Sequence, residues 1–151
     1  MGGLTPGEWQ RNVYNLNWLD FTPQESSAFV QSGNEKRQIP SAVFQKLAFT
    51  TLKDSVRGQC SAWRNGALQS GGMSVERIDQ RQGTLTMRLT GSADLRQNGR
   101  ACVCQLHGLA SYDKRQRKFT RIKLAAAGQR AGMDRDDLGP APMGVVFQLP
   151  E

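Results

Sequence analysis

The chain of 151 residues holds a single histidine and three cysteines, and that scarcity removes most routes to a metal or nucleophilic centre. Zinc sites draw their ligands from sets of Cys and His, and a catalytic triad needs an imidazole oriented beside a nucleophile. Cys60, Cys102 and Cys104 are too few, and of the wrong parity, for a disulfide framework. Cys102 and Cys104 stand two apart in a run that reads as a strand, so they share a face with Cα atoms about 7 Å apart, too far to bridge. Cys60 retains the reach to pair with one of them, but all three are expected to be reduced and half-buried, as in a reducing compartment. His107 falls on the opposite face of the same strand from both thiols. Neither a metal site nor a Cys-His nucleophile follows, no cofactor is assigned, and the chain is read as a non-enzyme.

Long apolar runs are missing as well. No stretch approaches the ~18 apolar residues of a membrane helix, so no membrane span is expected. The opening segment MGGLTPGEWQRNVYNLNWLDF has no basic region followed by an apolar one, and hence no secretory signal. A cytoplasmic location is favoured on that ground; a leader already removed would make the protein an exported one. Pro6 stands where N-myristoylation requires Ser or Thr.

Carboxylates are the minority charge, thirteen against twenty Lys and Arg, leaving a net charge of +7. Three of them gather at Asp134, Asp136 and Asp137. A calcium loop of the EF-hand type would need Glu where Val145 stands, and Pro142 interrupts it, so a solvated loop is expected instead. A surface with this cationic excess attracts anions such as nucleic acid, lipid headgroups or an acidic protein.

What the sequence does contain is period-two alternation. Leu85, Met87, Leu89, Ala93 and Leu95 alternate with polar residues, and Cys102, Cys104 and Leu106, then Ile122, Leu124 and Ala126, continue the apolar row on two further runs. Gln97-Asn98-Gly99 supplies a tight turn, and Asp113 to Arg117 a longer polar tip. A preceding strand from Leu68 to Ile78, weakened at Gly71-Gly72, brings the meander to four strands over 68–128. Val145 to Leu149 closes it after a loop through Pro140 and Pro142.

Upstream, Val43, Phe44, Leu47, Ala48, Thr51 and Leu52 recur at helical spacing from Ile39-Pro40 to a stop at Gly58. Gly33 to Gln38 reads as a polar loop, and Thr22-Pro23-Gln24-Glu25 as the capping box of a short helix ending near Val30. Residues 1–38 otherwise form an irregular arm whose aromatics, Trp9, Tyr14 and Trp18 among them, are expected to pin it to the domain or to dock a partner. The expected fold is a single α+β domain over 1–151, mainly β. It comprises an antiparallel meander of about five strands over 68–149, a curved sheet or open barrel, packed on one amphipathic helix over 39–57.

The segments IPSAVFQKLAFTTLKDSVRGQ, LTMRLTGSA, YDKRQRKFTRIKLAAAG and DLGPAPMGVVFQLP resemble a domain of uncharacterised, often exported bacterial proteins, over residues 39–151. The resemblance implies no activity, cofactor or site residue; it implies that an extracytoplasmic origin is open to this chain.

The expected function is therefore a non-catalytic binding or assembly module acting as an accessory subunit, with a protein partner or a second copy held through Trp9, Tyr14 and Trp18. An alternative is single-stranded nucleic acid or another polyanion held on the hairpin of Lys114, Arg115, Arg117, Lys118 and Arg121, with Tyr112 and Phe119 nearby for stacking. The solvent face of a sheet also requires such cations, and they guard against edge pairing. A third reading places an apolar small molecule between helix and sheet.

Overall fold

The structure, a computed structural model, describes residues 19–31, 33–53, 61–132 and 139–149. In chain order the elements are helix α1 (Pro23–Ser27), strand β1 (Arg37–Gln38), helix α2 (Ser41–Thr51), and strands β2 (Leu68–Arg81), β3 (Thr84–Gln97), β4 (Arg100–Asp113), β5 (Lys118–Ala131) and β6 (Ala141–Gln148). The strands form one antiparallel six-stranded sheet in the order β1-β2-β3-β4-β5-β6, a pure meander left open between β1 and β6.

Alternation sets the register. Leu89 of β3 lies opposite Gly108 of β4, which lies opposite Leu124 of β5, and four residues along Ala93, Cys104 and Gly128 line up in the same way. The row so formed, Leu85, Met87, Leu89, Leu95, Cys102, Cys104, Leu106 and Leu124, is buried. Ile122 shares the face, partly buried against the same core. A slip of one residue would turn every one of these to water, so the pattern admits one register only. The face opposite, carrying Thr90, Ser92, Gln105 and His107, is the open face. One cation lies on the other side: Arg130 is opposite Cys102 on the core face and is 4% exposed.

The turns follow from residue chemistry. Asn98 and Gly99 have φ of 51° and 77°, and Gln82 and Gly83 have 47° and 86°, two-residue loops whose backbone twist matches that of the flanking strands. Only glycine accepts the second position without strain, and each turn has one there.

Several boundaries differ from the sequence-based expectation: β2 runs on to Arg81, past Ile78, and α1 ends at Ser27, short of Val30. Helix α2 stops at Thr51, far short of Gly58, because Leu52 leaves helical geometry (φ −85°, ψ 56°) to become fully buried while its carbonyl accepts a 2.7 Å hydrogen bond from Trp63 Nε1. The polar segment before α2 is not all loop, since Arg37 and Gln38 pair with Val75 and Ser74 as β1. Strand β6 begins at Ala141 and so includes Pro142 opposite Gln129. Proline is tolerated there because β6 is an edge and the missing donor faces outward.

The Thr22 capping box forms as expected, with Glu25 N–H donating to Thr22 Oγ1 at 3.2 Å and Thr22 N–H to Glu25 Oε2 at 2.8 Å. Lys46 of α2 donates to the same carboxylate at 2.7 Å, tying the two helices together. Val43, Phe44, Leu47 and Ala48 of α2 join Met73, Val75, Met87 and Leu89 in one buried cluster that also takes in Trp63.

Candidate basic hairpin and open face

The β4–β5 hairpin is where the meander concentrates cations, and its tip is built from Asp113 outward. The Asp113 carboxylate accepts from the backbone N–H of Arg115 at 2.7 Å and of Gln116 at 2.9 Å, an Asx turn. Those backbone bonds, Gln116 first, hold its carboxyl below the usual aspartate range. Arg117 then takes a positive φ of 53° and the chain re-enters the sheet at Lys118, opposite Asp113. Across the tip Lys114 N–H donates to the Gly83 carbonyl at 3.0 Å, so the β2–β3 turn and the hairpin tip form one end of the sheet.

All five residues named from the sequence, Lys114, Arg115, Arg117, Lys118 and Arg121, are exposed, as is Lys123. Arg121 and Lys123, opposite Ser111 and Leu109, carry the cations from the tip onto the open face. Four ion pairs occur among the described residues: Lys46–Glu25, Arg81–Asp79, Arg88–Glu76 and Arg96–Asp94. None involves the hairpin, so among the described residues no carboxylate lies within 4.0 Å of its six cationic groups.

Tyr112 and Phe119 are not placed for stacking beside these charges. Their rings meet edge-on at 5.2 Å, partly buried against the core, on the face opposite Arg121. The open face supplies a different surface, which sequence reasoning missed. A shallow depression of about 270 Å³ has Leu109, Ala125 and Val146 in its lining and Arg121, Lys123 and His107 around it. Val146 is 70% and Leu109 44% exposed, large for residues without a polar group. Beside it a second, polar depression of about 500 Å³ is lined by Lys36, Gln38, Ser74, Thr90, Gln105 and His107. The signal was small residues at outward positions, Gly72 and Ser92 for the polar hollow and Ala125 for the apolar one, which become hollows only once the register sets them among larger neighbours.

Cys102 and Cys104 lie on the core face and are buried, while His107 is exposed on the open face. The hydrogen bond to Cys104, reinforced by burial, raises the Cys102 thiol far above the ordinary thiol range. Among the described residues no three His, Cys, Asp or Glu side chains converge. No described helix is long and apolar enough to cross a membrane. Trp9, Tyr14, Trp18, Cys60 and the Asp134–Asp137 segment lie outside the described residues. Comparison of the chain with family models, curated proteins and solved structures finds no match.

Proposed function

We propose that the protein is a non-catalytic binding module whose basic end takes a phosphate-bearing polyanion, single-stranded nucleic acid being the class that the surface suits. The observation that carries this reading is the set of six exposed hairpin cations with no described carboxylate within 4.0 Å. Cations on an ordinary solvated sheet are interleaved with acids, as Arg88 is with Glu76 and Arg96 with Asp94. A row without a close ion pair, screened at its tip by Asp113 alone among the described residues, stays available to an external anion. The floor of Leu109, Ala125 and Val146 beside Arg121 and Lys123 gives unpaired bases an apolar surface to lie on, which a duplex would not use. With Tyr112 and Phe119 turned to the other face, base identity has little to read it, so binding is expected to be governed by charge.

The space between α2 and the sheet suits an apolar ligand less well. Phe44, Met73, Met87 and Leu89 are fully buried there, and a guest would have to displace them.

The test is fluorescence anisotropy of a labelled oligothymidylate against salt concentration. Each phosphate neutralised on a single strand contributes about −0.7 to the slope of log affinity on log salt, so replacing Arg115, Arg117 and Arg121 by Gln should flatten it by about 2. Absence of binding at low salt, or a slope indifferent to the three substitutions, contradicts the proposal.

A further inference from the structure

The two edges of the sheet are treated very differently by the sequence. On one side β1 is two residues long, contains Arg37, and covers only the middle of β2, whose pairing is itself broken by irregularities between Leu68 and Ser70 and between Arg77 and Asp79. Short length, charge and bulges are the devices by which a sheet discourages edge-to-edge pairing. On the other side β6, APMGVVFQ, has none of them: its eight residues pair with β5 without a register shift and include no charged side chain. Strands β2 to β5 each contain charged residues, so β6 is the neutral exception in a chain with net charge +7.

The backbone of β6 is set for a further strand. Leu149 N–H donates to the Ile122 carbonyl at 3.3 Å, which places the odd-numbered residues' polar groups toward β5. By alternation, the N–H and C=O of Gly144, Val146 and Gln148, and the C=O of Pro142, point away from it. Among the described residues no strand occupies that side. On the core face Met143, Val145 and Phe147 are partly buried at the rim of the hydrophobic cluster, as side chains are where a core is cut short.

We propose that this edge pairs with the same edge of a second copy, β6 antiparallel to β6, about a two-fold axis through Val145. In this register Gly144 faces Val146 of the second copy and the reverse, giving four backbone hydrogen bonds. Gln148 N–H meets the carbonyl of Pro142, the one position with no donor to offer, adding one bond at each end. On the core face Val145 meets its own equivalent and Met143 meets Phe147, sulfur against ring. Self-pairing is the arrangement that neutrality serves. A two-fold axis sets Val145 against itself and brings each adjoining position diagonally close to its own equivalent, so a charge near the axis would meet its like, whereas a foreign strand would be better selected by charge. The pairing makes one continuous sheet of two copies with the basic hairpins directed to opposite ends, and it stands whether or not those hairpins bind polyanion.

Sedimentation equilibrium on the full chain tests it. The wild type is expected at twice the chain mass. Gly144→Lys combined with Val146→Lys places lysine opposite lysine across the axis and should give monomer with an unchanged far-ultraviolet spectrum. Both substitutions fit the fold, because a Cβ on Gly144 would have 4.0 Å to its nearest neighbour and Val146 is already exposed. Val145→Cys should form an intermolecular disulfide on oxidation, with wild type as the control for the native cysteines, since Val145 faces itself. A monomeric wild type, as when another segment of the chain or a different protein covers the edge, overturns the proposal. A dimer that survives the double lysine change, or one that fails to cross-link at position 145, overturns it equally.

Discussion

A Cβ placed on Gly128 would stand 2.6 Å from Cys104 Cα and closer still to the Val103 carbonyl, so hydrogen is the only side chain that position admits. Gly128 lies opposite Cys104 within the β4–β5 ladder, the fourth pair from its Ala101–Ala131 end. Gly128→Ala should therefore cost about 1–3 kcal/mol through forced backbone shifts, measurable by urea unfolding. The same substitution at Gly144 should be nearly silent, because the nearest atom is 4.0 Å away. The neighbouring thiols make a second residue-scale prediction. With Cys102 fully buried and its thiol raised by the bond to Cys104 and by burial, alkylation by iodoacetamide at pH 8 should leave it unmodified until the chain unfolds. Peptide mapping after native and denaturing treatment checks this; rapid native modification of Cys102 would show that the pair is not sealed in the core.

At the scale of elements, α1 is held by side chains that were readable in advance, and α2 is ended by one that was not. Thr22, Pro23 and Glu25 announce their helix by spacing alone, and Thr22→Ala should cost ~1 kcal/mol as the cap is lost. The Glu25 carboxyl lies below its usual value, chiefly through its bond to Lys46 and then the Thr22 backbone bond. A carboxyl lowered by folding contributes stability above its unfolded pKa and loses it as pH falls through the folded one. Acidification below about pH 4.5 should accordingly loosen the α1–α2 link first, seen as faster amide exchange at Glu25 and Ser26, with Glu25→Gln reproducing the effect at neutral pH. Unchanged exchange would mean that packing of Phe21 on Phe29, at 5.1 Å, holds α1 by itself. Helix α2 illustrates the other case. Its periodic pattern runs on past Thr51, but burial of Leu52 and the hydrogen bond from Trp63, eleven residues later, stop it. Strand β1 was hidden for a related reason, since a two-residue strand is too short to show a period and exists only because β2 is beside it. The long strands were legible because one face alternates as buried or half-buried along most of their length.

For the whole molecule, the sheet sorts its charge by register. The hairpin cations could be picked out from their sequence density; that none has a carboxylate within 4.0 Å among the described residues could not. Asp113 sits opposite Lys118, yet its oxygens are taken by the backbone of Arg115 and Gln116. Acids of the other strands pair with Arg81, Arg88 and Arg96. Tyr112 and Phe119 lie partly buried on the core side because the strand alternation that buries Ala110 carries Tyr112 to the same side. The apolar floor of Leu109 and Val146 was invisible for the converse reason: those residues lie on different strands, 37 positions apart in the chain and joined only through β5. Neutralising Asp113 by Ala should free the tip backbone, speeding exchange at Arg115 and Gln116, while leaving cation number and thus the salt dependence of polyanion binding almost unchanged. A collapse of binding in that variant would mean that tip geometry, and not charge, governs recognition.

The measurement closest to the central proposal is a titration of isotope-labelled protein with a short oligothymidylate, followed by amide and arginine side-chain NMR. Shifts confined to Lys114–Lys123, Leu109 and Val146, and reversed by added salt, are the predicted result. Shifts centred on the polar hollow of Gln38, Thr90 and Gln105, or on the segment containing Trp9, Tyr14 and Trp18, with the hairpin unmoved, would contradict it.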